Sequence, residues 1–257
     1  MASKREIKRF AFKLDRKLIK YEKVMQSQLL KELKRQENEI IANDGKFENR
    51  MLPILLKAYQ TIGLEIAEAQ FKALGTTFKK DRFFLESWQK WIDDVLTFRL
   101  IRKIDDISEY TALRYKEIME VIQDVGLSIP RSEIERRLHK ELGKGVFSKS
   151  RARMIARTET ASLANESKNR SAETWKEETG LKQYKMWVHR GASDPREPHV
   201  ALDGIIVEDK EDFQIVNDDG SVEYAKYPHD PNLSAKNVIN CSCQVMYVGE
   251  DYANSLR

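Results

Sequence analysis

The chain has 257 residues, of which 41% are hydrophobic and 33% charged, with 45 Lys/Arg against 41 Asp/Glu for a net charge of +4. Mean hydropathy is −0.60. That composition supports one large core or two modest ones and excludes a chain too polar to fold. No run of eighteen apolar residues is present, so no membrane span is expected, and two cysteines exclude a disulfide-built scaffold.

The first two-thirds of the chain reads as helix. Ile7, Phe10, Leu14, Leu18, Tyr21, Met25, Leu29 and Leu33 recur every three or four residues, with Lys and Arg on the opposite face. They predict a helix over 4–42, about 55 Å long, ended by Asn43-Asp44-Gly45. A second helix is predicted over 49–74, with Pro53 in its first turn, Leu52, Leu55, Tyr59, Ile62 and Ile66 as its stripe, and Gly75 as its stop. A third is predicted over 81–102, carrying Trp88, Trp91, Ile92, Val95 and Leu96. A fourth, over 105–125, carries Ile107, Leu113, Ile118, Val121 and Val125 before Gly126. Pro130 opens a short fifth helix with Ile134 and Leu138. A sixth is predicted over 148–179, with Ser148 as N-cap and Gly180 as stop.

Beyond residue 180 the texture changes. Tyr184–His189 alternates like a strand, and 205–207, 221–224 and 244–248 are short β-prone runs punctuated by Gly, Pro, Asn and Asp. The predicted fold class is α+β: a long-helix N-terminal bundle over 1–145, then a small mixed α+β domain over 146–257, divided at Gly143-Lys144-Gly145. The start of the chain lacks the apolar core of an export signal.

Four features carry chemistry. Cys241 and Cys243 are candidate ligands for Zn²⁺, since thiolates fill a tetrahedral site well, with further ligands from His199, His229 or a nearby Asp; the alternative is one core thiol and one surface thiol. Asp194, Arg196 and His199 form a charged loop motif. It reads either as acid–base or metal chemistry, or as a loop held by charge-assisted hydrogen bonds. Arg157-Thr158-Glu159 lies on the sixth helix and reads as an ion-pair clamp or as an ordinary solvated face. Finally, Lys4, Arg5, Lys8, Arg9, Lys13, Arg16, Lys17 and Lys20 make the first twenty residues strongly basic, while residues 208–219 are acidic. The basic helix lies on DNA phosphates, solvates one side of a packed helix or, as a third option, binds a membrane surface. No Gly-rich phosphate loop and no nucleophile elbow is present.

Read in order, these residues resemble a known family. Arg151-Ala-x-x-Ile155-Ala156-Arg157-Thr158-Glu159, Trp187, Asp194-x-Arg196-x-x-His199-x-x-Leu202-Asp203-Gly204, Phe213, Pro228-x-Asp230-Pro231 and Asn240-Cys241-x-Cys243 are similar to the Mu F-type head morphogenesis, or minor capsid, proteins of tailed bacteriophages. The resemblance covers about residues 148–248. It departs from the family pattern at Glu197 and Ser242, where basic residues are common. It implies a minor head protein, not an enzyme, located in the procapsid and the virion interior after assembly in the host cytoplasm. Its implied partners are the portal protein, capsid or scaffold proteins and, non-specifically, packaged double-stranded DNA. It also implies that Arg157, Glu159, Asp194, Arg196, His199 and Asp203 form a structural polar cluster. The family also stands in front of toxin domains, and none is expected here. The competing expectation is a hydrolase, nuclease or transferase with His199 as base and Asp194 or Glu159 beside it.

Overall fold

The computed structural model describes residues 4–74, 82–123, 130–190 and 195–256. Helix α1 spans Lys4–Ala42, and α2 (Met51–Ala58) continues through a π-turn at Tyr59–Gly63 into α3 (Leu64–Ala73). After the undescribed segment, α4 (Arg82–Trp91) runs through a second π-turn at Ile92–Leu96 into α5 (Thr97–Gln123). Helices α6 (Arg131–Lys144) and α7 (Lys149–Thr179) follow. The remaining elements are short: β1 (Gln183–Val188), α8 (Glu197–Val200), β2 (Ile206–Glu208), β3 (Phe213–Val216), β4 (Val222–Ala225), α9 (Ala235–Val238), β5 (Gln244–Gly249) and α10 (Glu250–Leu256). The architecture is α+β.

The ends of α1 and α7 agree with the sequence reading. Gly45, at φ +93°, donates to the Ile40 carbonyl (2.8 Å), and Asp44 precedes it at φ +49°; together they stop α1. Ser148 caps α7 by accepting the Arg151 N–H (3.2 Å). One expectation is corrected. The separate helices predicted over 81–102 and 105–125 are one helical run from Arg82 to Gln123, because Arg102-Lys103-Ile104-Asp105 contains no breaker. The continuous run also sets a different phase. Leu100, Ile104, Thr111, Tyr115 and Ile122 are buried, whereas Leu113 and Val121, expected in the stripe, are exposed. The expected stops at Gly75 and Gly126 lie outside the described residues.

The chain divides into two compact units. One comprises Met1–Tyr21, Ala58–Trp88 and Arg157–Arg257; the other comprises Glu22–Lys57 and Gln89–Ala156. In the second, Leu29, Leu33, Ile40, Met51 and Leu55 are buried at the α1–α2 corner. Asn49 caps α2 by accepting the Met51 N–H (3.1 Å). Arg151 reaches across to α5, donating to Thr111 Oγ1 (3.1 Å), the Ile107 carbonyl (3.3 Å) and the Val146 carbonyl (2.9 Å), with Tyr110 beside its guanidinium. Burial pushes this guanidinium down to about 10.

The first unit contains the sheets. Strands β2, β1 and β5 form an antiparallel sheet in that order, with Met186 opposite both Ile206 and Met246; β3 and β4 form a separate hairpin pairing Phe213 with Ala225. Along α7 every residue from Thr158 to Lys168 is buried. This stretch is rich in Ala, Ser and Thr and shows no single apolar stripe, as a helix covered on all sides should. Phe71 and Leu74 pack with Ala172, Trp175, Tyr227, Val245 and Tyr247. Trp187, Phe213, Ile215, Ala225 and Leu233 form a neighbouring core that includes both cysteines. Among the described residues, no helix is long and apolar enough to cross a membrane.

Candidate metal centre

The two cysteines sit between α9 and β5, where the chain must turn sharply. Asn240 adopts φ +60°, and the Cys241 N–H closes onto the Val238 carbonyl (3.2 Å). The Cys243 N–H then donates to Cys241 Sγ (3.3 Å), folding the second thiol back beside the first. Helix α8 begins at Glu197, with Pro198 in its first turn, and it delivers His199 to the same place. His199 Nδ1 lies 3.4 Å from Cys241 Sγ and 3.7 Å from Cys243 Sγ. The three candidate ligand atoms lie within 4.8 Å of one another, and this group could hold a metal ion. All three side chains are buried, with His199 at 2% exposure. Both thiols are free.

The tautomer of His199 follows from its surroundings. The Asn237 amide nitrogen donates to Asn217 Oδ1 (2.9 Å) and Glu223 Oε1 (2.8 Å), so its oxygen faces His199 Nε2 (3.0 Å). Nε2 therefore carries the proton, and the Nδ1 lone pair is presented to the sulfurs. This is the outer-shell arrangement that orients metal-binding histidines. The ring of Trp187 packs edge-on against His199 at 5.5 Å and Phe213 packs against Trp187 at 5.4 Å, closing the apolar side. The thiols are inequivalent. The hydrogen bond from Cys243 holds Cys241 far below the ordinary thiol range, and the same bond together with burial pushes Cys243 far above it.

The arginines of the sequence motif converge on the thiol loop. Arg157 donates to Asn240 Oδ1 (3.4 Å) and Arg196 to the Ile239 carbonyl (2.6 Å). These contacts to the loop end on neutral oxygens rather than on carboxylates. Thr158 Oγ1 accepts the Asn240 N–H (2.9 Å). Asp203 lies apart, accepting the His189 N–H (2.8 Å) at the end of β1. Glu159 is buried on α7. Asp194 lies outside the described residues.

Other residues important here were not singled out from sequence. Asn165 is fully buried and spans a gap between α7 and β5, donating to the Cys243 carbonyl (3.0 Å) and accepting the Val245 N–H (2.8 Å). Lys168 Nζ, also buried, donates to Gln244 Oε1 (2.6 Å) and the Val245 carbonyl (3.1 Å). A polar, weakly helix-forming Asn in the middle of a long helix was the available signal.

A family model, described as phage Mu protein F like protein, matches residues 118–246. The chain belongs to that family. The match begins at 118 rather than near 148, so the Mu F-like sequence takes in the end of α5 and all of α6. The family is one of structural phage head proteins. One similar relative is the uncharacterized protein YqbB of Bacillus subtilis (strain 168), 35% identical over 163 residues. That alignment covers 58% of this chain and 48% of the relative, so the chain spans about half the relative's length. No solved structure matches.

Proposed function

We propose that this chain is a minor head protein of phage head morphogenesis that associates with portal and procapsid and contacts packaged DNA. The observation that carries the reading is the family match over 118–246. In this reading, 146–257 is the Mu F-like domain and 1–145 supplies contacts to portal, capsid or scaffold proteins. The protein resides in the procapsid and the virion interior. Arg157, Glu159, Asp194, Arg196, His199 and Asp203 act structurally, and no catalytic residue is assigned. The buried position of His199, with both ring nitrogens engaged, supports this: a general base must reach a substrate proton. His199, Cys241 and Cys243 hold Zn²⁺, which thiolate and imidazole ligands favour over harder cations.

The test of the assembly role is fractionation of particles from cells producing the phage. The chain should sediment with procapsids and mature heads and be retained with portal protein after mild disruption; absence from both particle classes sinks the reading. The DNA contact rests on the basic start of α1. Lys17 there is tied to Glu65 (3.0 Å), while Arg16 and Lys20 are exposed. The backbone at Lys4, Arg5, Lys8, Arg9 and Lys13 is helical, and their side chains lie outside the described set. Binding to a generic duplex should weaken by on the order of 10³ between about 50 and 200 mM salt if six phosphates are contacted. Deleting residues 1–20 should remove most of it. Equal binding by the deleted chain overturns the DNA contact and leaves the assembly role to the fractionation.

A further inference from the structure

We propose that the open edge of β3 is a docking site for an extended segment of another protein, flanked at both ends by lysine or arginine, which adds a third strand to the β3–β4 hairpin. The site requires neither the zinc reading nor the head role.

The ladder shows which backbone groups are open. The Asn217 N–H donates to the Ser221 carbonyl (2.8 Å), so these two residues face each other at a hydrogen-bonded position. In an antiparallel pair such positions alternate with non-bonded ones. The register therefore turns the N–H and C=O groups of Phe213 and Ile215 toward β4, and those of Gln214 and Val216 away from it. The sheet ends at two strands, and among the described residues no group bonds these outward ones. A bare edge pairs readily, and proteins commonly protect it with a Lys, a Pro or a bulge. Phe213-Gln214-Ile215-Val216 has none of these. Phe213, Ile215 and Ala225 fasten the hairpin to the core, so the edge is held ready for a partner. On the outer face Val216 and Val222, directly opposite each other, and Tyr224 are exposed and offer the added strand apolar neighbours.

The charges choose the occupant. Glu211 and Asp212 stand before β3, and Asp218 and Asp219 after it. Asp212 and Asp218 are about 20 Å apart along an extended strand. Glu211 accepts the Glu208 N–H (3.0 Å), and Asp219 is paired with Lys236 (2.9 Å). Asp212 and Asp218 are exposed and make no ion pair among the described residues. A second copy laid antiparallel on this edge would set Asp212 against Asp218, and one laid parallel would set each against itself; like charges directly opposite disfavour both. The same carboxylates repel a nucleic acid backbone. The basic start of α1 is helical from Lys4 and supplies no strand. What fits is an extended segment of about five residues with a cation at each end, so that backbone hydrogen bonds and two ion pairs form together.

The experiment uses the full chain and a labelled synthetic probe, Lys-Lys-Val-Thr-Val-Thr-Lys-Lys, followed by fluorescence anisotropy. The probe should bind, more weakly as salt rises. Amide hydrogen exchange should slow at Gln214 and Val216 on binding, while Val222 and Tyr224 stay fast. Asp212→Asn combined with Asp218→Asn, both exposed, should weaken binding about tenfold. A probe N-methylated at its central residues keeps its charge, loses its edge donors and should not bind. Val216→Pro removes an outward N–H, leaves the ladder bonds intact and should abolish binding. If that variant fails to fold, Val216→Lys, which repels the probe from an exposed position, replaces it with the same expected loss. Three results overturn the proposal: no binding by the wild type, equal binding of the methylated probe, or protection at Val222 and Tyr224 in place of Gln214 and Val216. A wild type that self-associates in sedimentation equilibrium, and loses this with Val216→Pro, also overturns it, because the edge then serves a second copy.

Discussion

Asn165 is the side chain on which most of the C-terminal geometry turns. It sits at the centre of α7 and imitates a peptide group, taking one N–H and one C=O of the β5 segment that no strand partner reaches. Asn165→Ala would orphan both backbone groups in a dry interior, and we expect a loss of about 3 kcal/mol in urea denaturation with the helix content unchanged. Asn165→Asp should lose nearly as much, because a carboxylate cannot donate to the Cys243 carbonyl. Arg151 is the comparable residue in the other unit. Its guanidinium ties the turn before α7 to α5 through three carbonyl or hydroxyl oxygens. Arg151→Met keeps the apolar stem and removes the donors; about 2 kcal/mol should be lost by the same measurement. Sequence reading found Arg151, His199, Cys241 and Cys243 because reactive or charged side chains recur in a recognisable order. It missed Asn165 because both its partners are backbone atoms, which leave no trace in the identity of the residues contacted, and Lys168 because its partners, Gln244 Oε1 and the Val245 carbonyl, lie more than seventy residues away in the chain.

Among the elements, the α1–α2 corner shows how a few polar groups fix a change of direction. Gly45 faces the ring of Tyr115, and an added Cβ would lie 2.9 Å from it at a φ of +93°. Gly45→Ala should therefore cost about 2 kcal/mol in thermal or chemical melting, and Tyr115→Ala in the same background should recover the steric share but not the backbone share. Glu32 completes the corner. Burial alone would raise its pKa, but hydrogen bonds from Arg35, Gln36 and the Arg50 N–H outweigh burial and hold it below the ordinary 4.5. A depressed folded pKa means that the carboxylate stabilises the fold fully above the ordinary value and loses that contribution as pH falls below it. Urea midpoints measured at about pH 6 and pH 3.5 should differ more for the wild type than for Glu32→Gln; equal slopes would show that Glu32 does not matter to acid stability. Long elements with capped ends, α1 and α7, were legible in the sequence, since periodicity and caps are local. The continuity of α4 through α5 was not, because two apolar runs can be divided by eye where the backbone has no reason to break. Strand β3 escaped for the opposite reason. Four residues alternating buried and exposed are too few to stand out beside acidic neighbours.

Over the whole chain, the Mu F-like sequence and the compact unit that contains its core are not the same set of residues. The family match starts at 118, yet the unit holding β1 to β5 also draws on α3. Gln70 Nε2 donates to the Tyr247 carbonyl (3.0 Å), Ser171 donates to the Ala67 carbonyl (2.7 Å), and Phe71 and Leu74 enter the same core as Trp175 and Tyr247. A fragment of residues 146–257 would expose that apolar seat. It should be less stable than the full chain by several kcal/mol, and adding residues 58–74 in trans as a peptide should restore part of the loss. A fragment as stable as the full chain would show that the division at 145/146 is also a folding boundary. Contacts of this reach, more than a hundred residues apart in sequence, lie beyond what periodicity or motif order can reveal.

The seam between α7 and β5 also bears on how such a protein can diverge. A helix that grips a strand by its peptide groups is indifferent to most of what the strand carries. Replacement should therefore be lopsided: a saturation library scored for soluble expression should accept many residues at Ser242, which is only half-buried, and very few at Asn165. One side of this joint is held by the shape of its peptide groups and the other by a single side chain, so the helix is the side that cannot drift.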